Sequence, residues 1–144
     1  MISRRISLLA AFVLALAPTM SVAAPASPQG RFLTASGNVE VQIQPCGAAL
    51  CGDVVRVLAN RSMSDQKAPA AAAPAGVGLR LISDLKPSGA EWQGKIFNRE
   101  DGKTYDCIVR PLPNGNLEVR PYVGTPLIGK TQNWTRVPAP AAAR

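Results

Sequence analysis

Apolar and polar positions alternate most clearly from Val39 to Gln44. There Val39, Val41 and Ile43 are interleaved with Glu40, Gln42 and Gln44, a period of two that gives a strand one apolar face. Gly37-Asn38 just before it suits a tight turn from a first strand around Arg31 to Ala35. Val54 to Leu58 is a β-branched run with one charge, Arg56. Trp92 to Phe97 predicts another strand, followed by a polar turn over Asn98 to Gly102. Thr104 to Arg110 comes next, with Tyr105, Cys107 and Val109 sharing a face. Pro113-Asn114-Gly115-Asn116 is the strongest turn signal in the chain. Beyond it Leu117 and Val119 oppose Glu118 and Arg120, and Thr131 to Val137 reads as a last strand. Leu79 to Leu85 fits a short strand or a single helical turn equally well. Seven or eight short strands with hairpin turns between them predict an all-β, antiparallel barrel or sandwich. A closed barrel has the advantage of hiding its strand edges.

Other stretches lack this alternation. The first 23 residues have the layout of a cleavable export signal: Arg4 and Arg5, then a 12-residue apolar run from Ile6 to Ala17, Pro18, and small residues. Twelve helical residues span about 18 Å against the roughly 30 Å of a bilayer core, so a signal is expected rather than an anchor. Cleavage after Ala23 or after Ala26 places small residues correctly, and it leaves a protein without a membrane span, periplasmic or secreted. Residues 24–29 form a Pro/Ala/Ser leader and 138–144 a Pro/Ala tail. Within the 30–137 domain, 64–76 is an Ala/Pro-rich loop that starts no helical periodicity.

Charge and composition narrow the chemistry. Without Arg4 and Arg5, 14 basic residues face nine acidic ones, a net +5 spread along the chain. With no Lys/Arg block and seven aromatics in all, it lacks a nucleic-acid footprint. There is no His, which removes the usual general base, the Ser-His and Cys-His pairs and the commonest metal ligand. No cofactor, metal site or catalytic residue is expected. The three cysteines allow three pairings. Cys46 and Cys51 flank a turn between strands, so in an oxidising compartment a disulfide there is the natural reading. Cys107 then remains as a buried thiol.

The residues left for binding are Trp92, Tyr105, Tyr122 and Trp134, with Arg110 and Arg120. Strand-borne aromatics near cations can line a pocket for an apolar or amphipathic ligand; they can equally fill a core. The expected function is therefore ligand binding by an exported, non-enzymatic barrel. The alternative is a filled barrel acting as an envelope protein-interaction module.

A set of short motifs in order gives the chain a family likeness: Cys46-Gly47 with Leu50-Cys51-Gly52, Leu85-Lys86-Pro87, Trp92-Gln93-Gly94-Lys95-Ile96, Asp101-Gly102-Lys103-Thr104-Tyr105, and Gly129 to Arg136. In these it resembles the bacterial exported family known as domain of unknown function 2147. The resemblance implies a lipocalin-like barrel. It also implies that Phe32 and Arg136 take the places of the aromatic and basic residues that close the base of such barrels. The Ala/Pro stretch from Ala68 to Gly76 stands where the family carries an Asn-Pro-Asp-rich segment. Phe97-Asn98-Arg99 and Pro121 also depart from its pattern.

Overall fold

The computed structural model describes residues 15–21, 23–62 and 75–139. Residues 1–14 and 22 of the expected signal, 64–74 of the Ala/Pro loop and 140–144 of the tail lie outside the described residues. No helix among those described is long and apolar enough to cross a membrane.

Nine strand elements follow one another: β1 Gly30–Leu33, β2 Val39–Cys46, β3 Ala49–Val57, β4 Arg80–Ser88, β5 Glu91–Asn98, β6 Lys103–Pro111, β7 Leu117–Val123, β8 Thr125–Gly129 and β9 Gln132–Arg136. Each of β1 to β6 pairs antiparallel with its successor, β6 pairs β7, β7 pairs both β8 and β9, and β9 returns to β1. Because β8 and β9 lie along successive parts of β7, they act as one interrupted strand. The result is a closed, eight-stranded, up-and-down antiparallel barrel.

The alternation read in the sequence sets the core. Phe32, Val39, Val41, Ile43, Val54, Ile82, Leu85, Cys107, Val109, Leu117, Val119 and Trp134 are buried together inside the barrel. A side chain of this size gains about 1.5–3 kcal/mol on leaving water.

β4 settles the ambiguous segment as a strand, and its irregularity explains the ambiguity. Strict alternation cannot turn both Ile82 and Leu85 inward, yet both are fully buried. Asp84 adopts φ 52°, and the pairing with β5 shifts register between Ser83 and Lys86. This bulge inserts the extra residue that resets the phase. Gly94 on β5 lies against the bulge, where a Cβ would sit 2.7 Å from the Ser83 carbonyl oxygen and 3.0 Å from Leu85 Cα.

Two other boundaries differ from the pattern-based expectation. β3 begins at Ala49, five residues before the Val54 run, because Gly52 passes through the core where a Cβ would meet Val41 at 3.0 Å and Ile82 at 3.2 Å. β8 has no counterpart in the sequence reading, since Thr125-Pro126-Leu127-Ile128-Gly129 shows no alternation and all five residues are exposed.

Candidate functional site

An up-and-down barrel places its connections alternately at two ends, and the two ends here are built differently. The chain enters at Gly30 and leaves at Arg136 on one end, together with the turns β2–β3, β4–β5 and β6–β7. Arg136 seals this end. Its guanidinium lies 4.7 Å from the Phe32 ring centroid, directly beside its pairing partner in β1. It donates to the Gly115 carbonyl at 2.8 Å and to the Gln29 carbonyl at 3.4 Å, while its backbone N–H donates to Asn116 Oδ1. Gly30 adopts φ 137°, a backbone conformation that favours glycine, and its missing Cβ leaves room for the guanidinium, which a Cβ would approach to 2.4 Å. The β6–β7 turn at this end is the one predicted, with Gly115 at φ 89° and its N–H donating to the Leu112 carbonyl. Cys46 and Cys51 are disulfide-bonded across the β2–β3 turn, 5.6 Å between Cα atoms.

The opposite end carries the β1–β2 turn, the β3–β4 connection, the β5–β6 turn and the β7–β8 corner. It opens into a cavity of about 800 Å³. Ile96, Phe97, Tyr105, Pro121, Tyr122, Val123 and Ile128 supply the apolar wall, with Asn98, Glu100, Lys130, Thr131 and Gln132 among the polar groups around it. A smaller space of about 60 Å³ adjoins it, bordered by Val39, Leu81, Ile96 and Trp134. Trp134 is buried, its indole N–H donates to Gln132 Oε1 at 3.2 Å, and it borders the smaller space, which shares Ser36, Ile96, Phe97 and Gln132 with the cavity lining.

The wall is incomplete beside β8. β9 pairs β1 only at Phe32–Arg136 and Leu33–Thr135, and above Leu33 no described strand pairs with the far side of β8. The cavity reaches this gap, since Ala35 and Ser36 of the β1–β2 turn and the Ile128–Asn133 stretch both line it. β8 is held in place by Arg120, which donates to the Pro126 carbonyl at 2.6 Å and to Thr131 Oγ1 at 2.8 Å.

The sequence-predicted ligand residues divide between these regions. Tyr105 and Tyr122 border the main cavity, and Trp134 borders the small one below it. Tyr105 also ties down the β5–β6 turn, its hydroxyl donating to Asp101. That bond, with the Lys103 N–H, holds the Asp101 carboxyl below its ordinary range and raises the Tyr105 phenol. Trp92, Arg110 and Arg120 lie outside the lining. Trp92 sits toward the sealed end, its indole N–H donating to the Ala26 carbonyl at 2.8 Å. Arg110 bridges Glu91 at 2.8 Å and Glu118 at 2.7 Å, and both carboxylates raise its pKa. Arg120 braces β8 as described. Strand position alone cannot say at which end of a barrel a residue lies until the register is known, and residue type does not separate these three from the lining. Val123, Ile128 and Lys130 join the lining through β8 and the turn around it, which no alternation in the sequence marks.

Cys107 is fully buried and reduced, and burial pushes its thiol up to about 12. Among the described residues no group of three His, Cys, Asp or Glu side chains could hold a metal ion.

Comparison with known proteins agrees with the geometry. A solved protein from the human pathogen Helicobacter pylori, HP1028, described as belonging to the lipocalin family, superposes with a TM-score of 0.58 at 21% identity. The match covers 78% of this chain and 84% of that one, and it shows a shared lipocalin-like fold. No curated protein matches the chain. Residues 30–136 match the family model described as "Uncharacterized protein conserved in bacteria (DUF2147)", and with most of its length so covered the chain belongs to that bacterial family.

Proposed function

We propose that this protein is an exported binding barrel that holds a small apolar or amphipathic molecule in the cavity at its open end. The carrying observation is the contrast inside one barrel: side chains, Trp134 among them, fill its lower part, and at the open end lies about 800 Å³ of space with an apolar wall and polar groups at its margin. A volume of that order suits a small organic ligand. Polar rim groups suit an amphiphile whose head remains near solvent. Export is supported by the charged, apolar and small-residue order of the first 23 residues. The Cys46–Cys51 bond agrees with an oxidising compartment. The cysteines offer no ready nucleophile: two are bonded to each other, and a buried thiol near 12 is scarcely ionised at neutral pH.

Native mass spectrometry of the protein purified from its own cells, before and after denaturation, tests the reading. A discrete extra mass that is lost on denaturing and absent from Tyr105→Ala is the expected result. A bare mass, together with no uptake of an apolar fluorescent probe by the purified protein, overturns it.

A further inference from the structure

Exposed large apolar side chains are distributed unequally over the barrel. Among the described residues from Gly30 onward they are Leu58, Val77, Val123, Leu127 and Ile128, at 46%, 72%, 60%, 90% and 67% exposure. All five lie at the open end, on the β3–β4 connection or the β7–β8 corner. Among these described residues the sealed end has none. Scattered single exposures need no explanation, but a set confined to the rim of one opening marks a surface that meets something apolar.

Charge at the same end indicates what that is. Among the described residues the open-end turns and strand ends carry Arg61, Arg99, Lys103 and Lys130 against Glu100 and Asp101, and the rest of the β3–β4 connection adds one charge of each sign, Asp65 and Lys67. Asp101 is already engaged by the Tyr105 hydroxyl and the Lys103 N–H. Apolar side chains set among excess cations match an anionic lipid surface, where the first enter the interface and the second meet phosphates. A protein partner adding a strand to β8 fits less well. β8 is five residues long, Pro126 has no N–H to offer, and the Pro126 carbonyl is taken by Arg120, all features that blunt a strand edge.

We propose that the open end docks on an anionic membrane surface, with Leu127, Val123 and Val77 entering the interface and Lys103 and Lys130 meeting lipid phosphates. Docking there sets the cavity and the gap beside β8 against the bilayer. An amphipathic ligand then passes between membrane and barrel without crossing water. This rests on the ligand-binding reading above.

Co-sedimentation with vesicles of phosphatidylcholine alone, and of phosphatidylcholine mixed equally with phosphatidylglycerol, tests the proposal. Binding is expected to the anionic vesicles and not to the neutral ones. It should weaken as salt rises from about 0.05 to about 0.3 M, where screening shortens to less than half its range. Lys103→Ala with Lys130→Ala should lower anionic-vesicle affinity roughly tenfold or more. Leu127→Asp with Val77→Asp should abolish sedimentation. Neither of these two residues lines the cavity, so uptake of a soluble apolar probe without vesicles should be unchanged in that variant. Absence of binding, equal binding to both vesicles, or a concentration-dependent dimer that Leu127→Asp abolishes would overturn docking. Failure of the probe to bind the parent protein would instead remove the cavity reading, so the two failures are distinguishable.

Discussion

The two ends of this barrel use similar materials for opposite purposes. At the sealed end an arginine, a phenylalanine and two glycines are fitted together: Arg136 covers Phe32, Gly30 leaves room for the guanidinium, and Gly115 presents its carbonyl to it. A disulfide and a tight hairpin stand beside them. At the open end the aromatic and aliphatic side chains have water or empty volume on one side, and one strand element is fully exposed. Closing a barrel at one end concentrates its stability there, which leaves the other end free to remain underpacked. Regions that bind are commonly drawn from the less stable part of a fold. Substitutions below Trp134 should therefore act on unfolding free energy, and those above it on ligand.

The largest effect is expected at the boundary itself. Trp134 is 2% exposed and borders the small space that adjoins the cavity. Trp134→Ala would join the cavity to the core and cost about 3–5 kcal/mol, read by denaturant unfolding. A cost under about 1 kcal/mol would mean that the core does not end at this ring, and the division between the ends would fail.

A smaller loss is expected within the sealed end. Cys46→Ser with Cys51→Ser removes a crosslink closing a very short loop, for which the chain-entropy model gives about 2 kcal/mol. Probe affinity should be unchanged, because neither residue lines the cavity. A drop in affinity larger than the drop in stability would show that the two ends are coupled.

How this division was hidden in the sequence follows from the residues concerned. The regular strands were legible because their side chains alternate between core and solvent, as in Val39 to Ile43 and Leu117 to Val119. The Cys turn and the Pro113–Asn116 hairpin were legible because their chemistry is local. Features that depend on neighbours distant in sequence were not. Gly52 looks like a strand breaker until Val41 and Ile82 are seen closing on it. Asp84 looks like a solvent position until its bulge is found to turn Leu85 inward. Glu40 alternates outward as expected, yet is only 5% exposed because Arg31 and Arg56 fold over it at 3.5 and 3.4 Å. Arg110 and Arg120 lie outside the cavity lining for reasons no local pattern shows, one bridging two glutamates and the other bracing β8.

Cys107 gives a pH-dependent test of how dry the filled part of the barrel is. Its thiol is raised to about 12 in the folded protein from an ordinary value near 9. Below pH 9 the thiol is protonated in both states and adds no pH dependence. Between about 9 and 12 the unfolded chain loses this proton and the folded one keeps it, so stability falls as pH rises, by up to about 1.4 kcal/mol per pH unit. Cys107→Ala should flatten that part of the profile relative to the parent. Equal slopes would mean that water reaches the thiol, and that the interior is less sealed than the buried side chains around it imply.

The smallest effect on stability, and the sharpest contrast with the rest, belongs to Ile128. It lines the cavity while remaining 67% exposed, so the folded state loses little packing when it is changed. Ile128→Asp should shift unfolding free energy by no more than about 0.5 kcal/mol. It also places a carboxylate on the wall of a site proposed to hold an apolar group. A bound apolar surface facing that carboxylate would have to displace its water without supplying a hydrogen bond, which costs at least 1 kcal/mol or so and lowers affinity about fivefold or more. Titration of a soluble apolar probe in the absence of vesicles measures this apart from any membrane contact. Unaltered affinity with unaltered stability would show that ligand does not reach the β8 side of the cavity. The binding wall would then be restricted to side chains of β5, β6 and β7, Ile96, Phe97, Tyr105 and Tyr122 among them, and β8 would be left with the rim alone.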